Sequence, residues 1–397
     1  LSFPASLEPG THHPDCSGKR RIVHVIVNLG TGGADMMLYK VLKHAPLEFH
    51  NSFSNSVISF MGAGVTAGLL RQIGIKVFPL GLERGTPTFG AGLRLARLLR
   101  LLRPDLIQTW LYHSDLVAGL LGAFLTNARI VWNIRQTNLD PSLNSARTLM
   151  VVHLCARLSR RLPTRIICNS RSSMNSHEAF GFDNTKFRLI PNGFDLSVFR
   201  PNPEAKPRLL RELGIPGNPF LIGCVGRFDP QKDHANLIKA ARLVVGAVPE
   251  ARFLLAGLDV VVENQPLQSL LREADMTDRF VLLGERADIA DIIPAFDLAV
   301  SPSAGESFAN FIGEAMACGV PTIATDVGDS AHILGNCGIV VPPRNPEALG
   351  QTIVTVATLP PLARQKMGSN ARVRASEKFE INHVAKMYAD LYSEILS

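Results

Sequence analysis

No stretch of the 397 residues approaches the roughly 18 to 20 consecutive apolar residues that a membrane-spanning helix requires. The stretch LSFPASLEPGTHHPDCSGKRR at the start also lacks an apolar run, so residues 1–20 read as a disordered arm rather than a signal peptide. Cysteine is scarce. Cys16, Cys155, Cys168, Cys224, Cys318 and Cys337 form no CxxC pair and no metal-like spacing, and several sit inside apolar runs, where a thiol packs as a small hydrophobe. This argues against a disulfide framework and fits a reduced, cytosolic chain. Aromatic residues make up only 7% of the chain, too few for the interleaved stacking platform of a single-strand nucleic-acid binder. Neither GxGxxG nor GxxxxGK[ST] occurs, so readings as a nicotinamide oxidoreductase or a P-loop NTPase lose their best support. No DxD-type acidic cluster is present to hold a divalent ion, and no metal or other cofactor is expected.

The charge is unevenly distributed. Residues 1–200 carry 23 Lys+Arg against 11 Asp+Glu, whereas residues 201–397 carry 18 against 23. The first half is therefore basic and the second mildly acidic, so the two halves face different partners. Arg94, Arg97, Arg100 and Arg103 recur at three-residue spacing beside leucines in GLRLARLLRLLRP, and CARLSRRLPTR adds Arg157, Arg160, Arg161 and Arg165. Such stripes are either solvated faces of core-packed helices or surfaces that rest on an anionic membrane.

Short β-rich runs alternate with helical patterns along the chain. IVHVIVNL, SVISF, KVFPL, DLIQTW, RIVWNI and RIICNS read as strands. The segment PNGFDLSVFRPNPEAKP, rich in Pro, Gly and Asn, interrupts the pattern, which restarts with FLIGCVG, RFLLAG, RFVLLG, DLAVSPS and PTIATDVG. This predicts two doubly wound α/β domains with parallel sheets, over 21–195 and 196–376. The remaining residues, 377–397, read as a helix returning to the first domain, and the hinge is expected near Asn192 and Gly193.

Both halves open with a strand, a short loop and a helix, the place where open α/β sheets bind ligands. In VNLGTGGADMML, Gly32 and Gly33 would let the backbone approach a ligand, with the following helix N-terminus suited to a phosphate. In GRFDPQKDH, Arg227 and Lys232 bracket the second loop, where two cations could neutralise a diphosphate. In SAGESFANFIGEAMACGVP, a loop presents Glu306, a helix is expected from about Phe308 to Cys318, and Gly319 and Pro321 stop it. Glu314 lies eight positions after Glu306, about two turns on and near the same face. Two carboxylates so placed suit a ligand with two sets of hydroxyls, while the N–H groups of Phe308, Ala309 and Asn310 could cap a phosphate.

The two-glutamate segment resembles the E-x7-E signature of the retaining glycosyltransferases of family 4, of the bacterial cell-surface polysaccharide type. The likeness runs from about residue 21 through GGAD, TWLYHSD, PNGFD, GRFDPQKD, LGERADI and VVPPRNPEAL. It implies the GT-B fold, two Rossmann-like domains facing across a cleft, and transfer of a hexosyl-type sugar from a UDP- or GDP-sugar to a glycan or lipid-linked acceptor. By that resemblance Glu306 binds the donor sugar hydroxyls and Glu314 the ribose hydroxyls. Arg227 and Lys232 neutralise the diphosphate, Gly32 and Gly33 approach it from the other domain, Arg286 meets the base, and His113 in WLYHSD lines the sugar pocket. A metal-independent reaction in the cytoplasm, at the inner face of the membrane, is the expectation. Where similar enzymes often read EGFP, this chain reads ESFA, with Ser307 and Ala309 in place of Gly and Pro. The competing readings are another GT-B enzyme, such as a nucleotide-sugar 2-epimerase or a phosphorylase, and a non-catalytic binding relative.

Overall fold

A computed structural model describes residues 18–82, 89–140 and 144–397. The expected disordered arm falls almost wholly outside the described residues, as does Cys16.

The first sheet contains β1 (Arg20–Ile26), β2 (Phe53–Ser59), β3 (Lys76–Pro79), β4 (Leu106–Trp110), β5 (Arg129–Ile134), β6 (Arg165–Cys168) and β7 (Phe187–Leu189), in the order β3-β2-β1-β4-β5-β6-β7. The second contains β8 (Leu221–Val225), β9 (Arg252–Ala256), β10 (Phe280–Leu282), β11 (Leu298–Ser301), β12 (Thr322–Thr325) and β13 (Ile339–Val341), in the order β10-β9-β8-β11-β12-β13. Every pairing is parallel. Central strands such as β4 (LIQTW) are buried at every position, as a sheet covered by helices on both faces demands. The order reverses between β1 and β4 in the first sheet and between β8 and β11 in the second. Both reversals open crevices at the carboxyl edges, where ligands of such sheets sit. The sequence does not indicate the three-residue edge strands β7 and β13, FRL and IVV.

The chain crosses between the sheets twice, and the crossings are bonded together. Phe194 N–H donates to the Phe379 carbonyl (2.8 Å) and Ile381 N–H to the Phe194 carbonyl (3.0 Å). The helix Pro361–Phe379 lies against the second domain and contacts the helix Asn310–Ala317. After Glu380, which caps the last helix by accepting from Asn382 and His383 N–H groups, Ile381–Leu396 packs into the core of the first. Tyr388 and Tyr392 are fully buried there, Tyr388 stacked on Trp110 and Tyr392 donating its hydroxyl to Gln108. Arg165 and Arg188 hold Glu394 at the end of this helix. Arg165 is therefore not part of a free basic stripe. Arg94, Arg97 and Arg100 are exposed along the helix Phe89–Leu102, and Arg103 follows its end with φ 45°.

Candidate donor site between two sheet edges

Glu306 stands in the loop after β11. Its Oε1 accepts from Lys232 Nζ at 2.5 Å and from Ser303 Oγ at 2.8 Å. Lys232 comes from the loop after β8, its stem packed across Gly226, and Asp233 (φ 46°) caps the following helix by accepting from Asn236 N–H. The neighbouring switch-point strands thus deliver the cation and the carboxylate to one another. Arg227 is exposed, with its Nε 3.1 Å from Asp229 Oδ2, so the two loop cations are each paired with a different carboxylate.

The helix bearing Glu314 starts at Asn310, two residues later than the sequence indicated, and runs to Ala317. The reason is apolar: Phe308 stacks on Phe194 and meets Phe379 edge-on, and Ala309 is buried, so both residues serve the core rather than the first turn. Ala309 as N-cap offers no side-chain acceptor, which leaves the first N–H groups of the helix open to a ligand. Gly319 (φ 73°) ends the helix, with its N–H bonded to Met316 and that of Val320 to Ala315, the 5→2 and 6→1 pattern of a left-handed C-terminal cap. Glu314 is half-buried, and its carboxylate has no hydrogen-bond or ion-pair partner among the described residues. Burial raises its pKa, offset by the positive fields of Lys40 and Lys232.

From the first domain, the exposed Gly32 and Gly33 open the helix Gly33–Lys43. A Cβ on Gly33 would lie 3.3 Å from Asn310 Nδ2, so the glycine loop faces the uncapped helix terminus directly. Asp35 turns back into this loop, accepting from the N–H groups of Gly30 (2.9 Å) and Gly32, and burial lifts its pKa to about 6. That carboxylate, overlooked in the sequence, already fills donors that a phosphate would otherwise use. Lys40 lies on the same helix and contributes to the field at Glu314. A further hydrogen-bond path links the domains at this level. Arg135 donates to Asn192, and Asn192 Nδ2 donates to Asn310 Oδ1 at 2.6 Å.

His113 is exposed in the first turn of Tyr112–Leu125, after β4, with its pKa lowered by partial desolvation. The preceding Leu111 has φ 72° and ψ 154°, a conformation costly for a side chain bearing a Cβ. Leu111 N–H is fixed on Asn133 and its carbonyl on Asp115, so the strain is held in place next to His113. Arg286 is not brought to the centre by its side chain: its fork lies on Asp288 (both bonds 2.7 Å) and on Glu212 (2.7 Å), and these contacts raise its pKa further. Its neighbour Glu285 instead accepts from Thr31 of the glycine loop at 3.3 Å.

The ESFA departure has a visible consequence. Ser307 donates to Asn169 (2.8 Å) and meets Ser170 Oγ (2.9 Å), both in the first domain. Beside it, Asp329 accepts from the N–H groups of Arg171 and Ser172 at 2.8 and 2.9 Å, so a carboxylate of the second domain caps a helix of the first. Gly328 (φ 57°) lies under the Glu306 carbonyl, where a Cβ would come within 2.4 Å. Next to these contacts a cavity of about 480 Å³ is lined by Thr137, Asn138 and Ser176 on one side and Gly305, Glu306 and Val327 on the other. Another concavity, near Pro207 and Ile215, contains none of these groups. Among the described residues no three His, Cys, Asp or Glu side chains gather as a metal site.

Two family models match the chain: Glycosyltransferase Family 4 over residues 55–198 and Glycosyl transferases group 1 over residues 219–358. The lipopolysaccharide core biosynthesis mannosyltransferase LpcC of Rhizobium leguminosarum bv. viciae is 27% identical over 350 residues, 84% of this chain and 94% of that protein. The UDP-Gal:alpha-D-GlcNAc-diphosphoundecaprenol alpha-1,3-galactosyltransferase of Escherichia coli is 27% identical over 61% of this chain. The D-inositol 3-phosphate glycosyltransferase of Rhodococcus erythropolis is 29% identical over 57%. The matches span 63% and 53% of the lengths of these last two. Among solved structures, Anabaena Alr3699/HepE in complex with UDP and glucose superposes with TM-score 0.82 at 23% identity, covering 94% of this chain and all of that one. WaaG, a glycosyltransferase involved in lipopolysaccharide biosynthesis, gives 0.72 at 14% identity, covering 93% and 99%. The chain belongs to the family 4 glycosyltransferases, and its two parallel sheets facing across a cleft are the GT-B fold.

Proposed function

We propose that this glycosyltransferase moves a hexosyl-type sugar from a UDP- or GDP-sugar to a hydroxyl of a lipid-linked glycan, with retention and without a metal, in surface polysaccharide or lipopolysaccharide biosynthesis. The observation that carries the donor reading is the contrast between the two carboxylates: Glu306 is paired with Lys232, whereas the Glu314 carboxylate, one turn inside a helix whose N-terminus is uncapped, is half-buried and unpaired among the described residues. A ribose supplies the hydroxyls that Glu314 lacks. The diphosphate draws Lys232 away from Glu306, and the freed carboxylate accepts from the donor sugar.

In the reaction the acceptor hydroxyl oxygen bonds to the anomeric carbon while the bond from that carbon to the phosphate oxygen breaks. The electron pair stays on the nucleoside diphosphate, and the hydroxyl proton passes to that same leaving phosphate. Lys232, Arg227 and the N-terminus of Asn310–Ala317 meet the growing negative charge with groups already in position. Glu306 orients the sugar and steadies positive character at the anomeric carbon, and His113 borders the pocket. The acceptor enters by the cavity between Thr137–Asn138 and Gly305–Glu306, which places its hydroxyl beside Glu306. The supporting comparisons are a relative named for a diphosphoundecaprenol-linked acceptor and a structural neighbour in complex with UDP and glucose.

The first domain is read as resting on anionic membrane. Leu93 (45% exposed) and Leu101 (63%) lie on the same helix as Arg94, Arg97 and Arg100, and Phe124 (82%) ends the helix that packs beside it. No helix of the described residues is long and apolar enough to cross a membrane. Transfer from labelled nucleotide-sugars in EDTA, with the anomeric configuration of the product read by NMR, tests the chemistry; an inverted product or strict metal dependence would overturn the mechanism. Flotation with anionic vesicles at low salt tests the surface, and no binding there would count against it.

A further inference from the structure

Arg135, at the end of β5, differs from the other arginines near the cleft. Arg227 and Arg286 each lie on carboxylates, whereas Arg135 is half-buried among neutral groups. Its Nη1 reaches the Tyr388 hydroxyl at 3.4 Å, Nη2 reaches Asn192 Oδ1, and the guanidinium carbon lies 5.4 Å above the Trp110 ring. Among the described residues no Asp or Glu pairs with it. Removing a guanidinium from water without an anion is costly, and here burial lowers its pKa. A cation held at a ligand cleft with donors to spare fits a site whose anion arrives with the ligand.

The position indicates which anion. Arg135 holds Asn192, and Asn192 holds Asn310, the first residue of the helix that carries Glu314. Asn310 in turn faces Gly33 across the cleft. Arg135 is therefore two hydrogen bonds from the open helix terminus proposed to meet the diphosphate. A planar fork with several N–H donors suits phosphate oxygens better than sugar hydroxyls.

We propose that Arg135 binds a phosphate oxygen of the donor's diphosphate, supplying from the first domain a cation opposite Lys232 and Arg227. This rests on the donor-site reading above. On ligand binding the guanidinium exchanges its neutral contacts for an anion.

Calorimetric titration with UDP, GDP and the corresponding monophosphates tests this on the unaltered chain, Arg135→Gln, Arg135→Lys and Asn192→Asp. For whichever diphosphate binds the unaltered chain, Arg135→Gln is expected to weaken it about 10-fold or more and its monophosphate by less, with Arg135→Lys between. Asn192→Asp supplies the missing carboxylate. It should raise the melting temperature of the ligand-free chain while weakening the diphosphate, opposite signs that a purely structural role does not produce. Equal diphosphate affinity in the unaltered chain and in properly melting Arg135→Gln would overturn the inference alone, as would a defect seen only with the acceptor. Failure of the unaltered chain to bind either diphosphate would overturn this inference together with the donor-site reading.

Discussion

The two sheet edges that face each other hold their charges differently. On the second sheet Lys232 is closed on Glu306 and Arg227 on Asp229, so both cations are neutralised within their own domain. On the first, Arg135 meets only neutral groups among the described residues, and Lys40, with no ion pair among them, acts across the cleft on Glu314. One edge is a set of pairs that a ligand must exchange, and the other is a set of charges that a ligand completes. On the proposed donor reading the two edges would have separate tasks: the second domain would recognise the donor by substitution of partners, and the first would respond to its charge.

The largest effect is expected on the exchanging edge. Lys232→Ala removes a cation proposed to meet the leaving group and leaves the Glu306 carboxylate with only Ser303, so kcat for transfer should fall about 100- to 1000-fold. Steady-state kinetics with saturating donor measures it, and a fall of less than threefold would break the division of tasks. The contact between the edges comes next. Asp329→Ala strips two charge-assisted acceptors from a helix N-terminus of the other domain, and denaturant unfolding should show a loss of about 1.5–3 kcal/mol. An unchanged midpoint would mean that the two domains do not depend on this junction.

A smaller effect is expected from pH. Burial holds His24 and His177 of the first domain and His234 of the second near pKa 4, below the usual 6.5, so the unfolded chain binds more protons between those values. Their contribution to stability is present above about pH 6.5 and is lost as pH falls toward 4, with a slope of at most about 1.4 kcal/mol per pH unit for each. Asp35 acts in the opposite sense. Its folded pKa of about 6 gives stability at low pH that is lost as pH rises from the ordinary carboxylate value to 6. Asp115 and Glu314, also raised by burial, act with Asp35, while the three histidines contribute destabilisation on acidification. His24→Gln should flatten that slope in pH-dependent unfolding, and Asp35→Asn should steepen it.

The sequence reveals what repeats or keeps a fixed spacing. Alternating β-rich and helical runs outline both sheets, and the E-x7-E segment marks its helix, because each depends on residues close in the chain. The edge strands β7 and β13 escape notice: the equally short β10 lies in the apolar run RFVLLG, whereas FRLI sits between TK and PNG and IVV runs straight into Pro-Pro. The helix start shifts from Phe308 to Asn310 because Phe194 and Phe379, more than 60 residues away on either side, draw Phe308 and Ala309 into the core. The cross-domain groups are hidden for the same reason. Nothing in ATDVGD announces that Asp329 will cap a helix beginning at Arg171, or in WNIRQT that Arg135 will lack a carboxylate. Ser307 stands out in the sequence only as a departure from EGFP, and its partners Asn169 and Ser170 appear once the domains face each other.

The most direct test of the account is a thermal-shift panel of UDP-, GDP-, ADP- and dTDP-sugars in EDTA, on the unaltered chain, Glu314→Ala and Lys232→Ala. One nucleotide family is expected to raise the melting temperature of the unaltered chain, and both variants are expected to lose most of that shift. No shift with any nucleotide, or a full shift in Glu314→Ala, would contradict a donor site built on the unpaired glutamate.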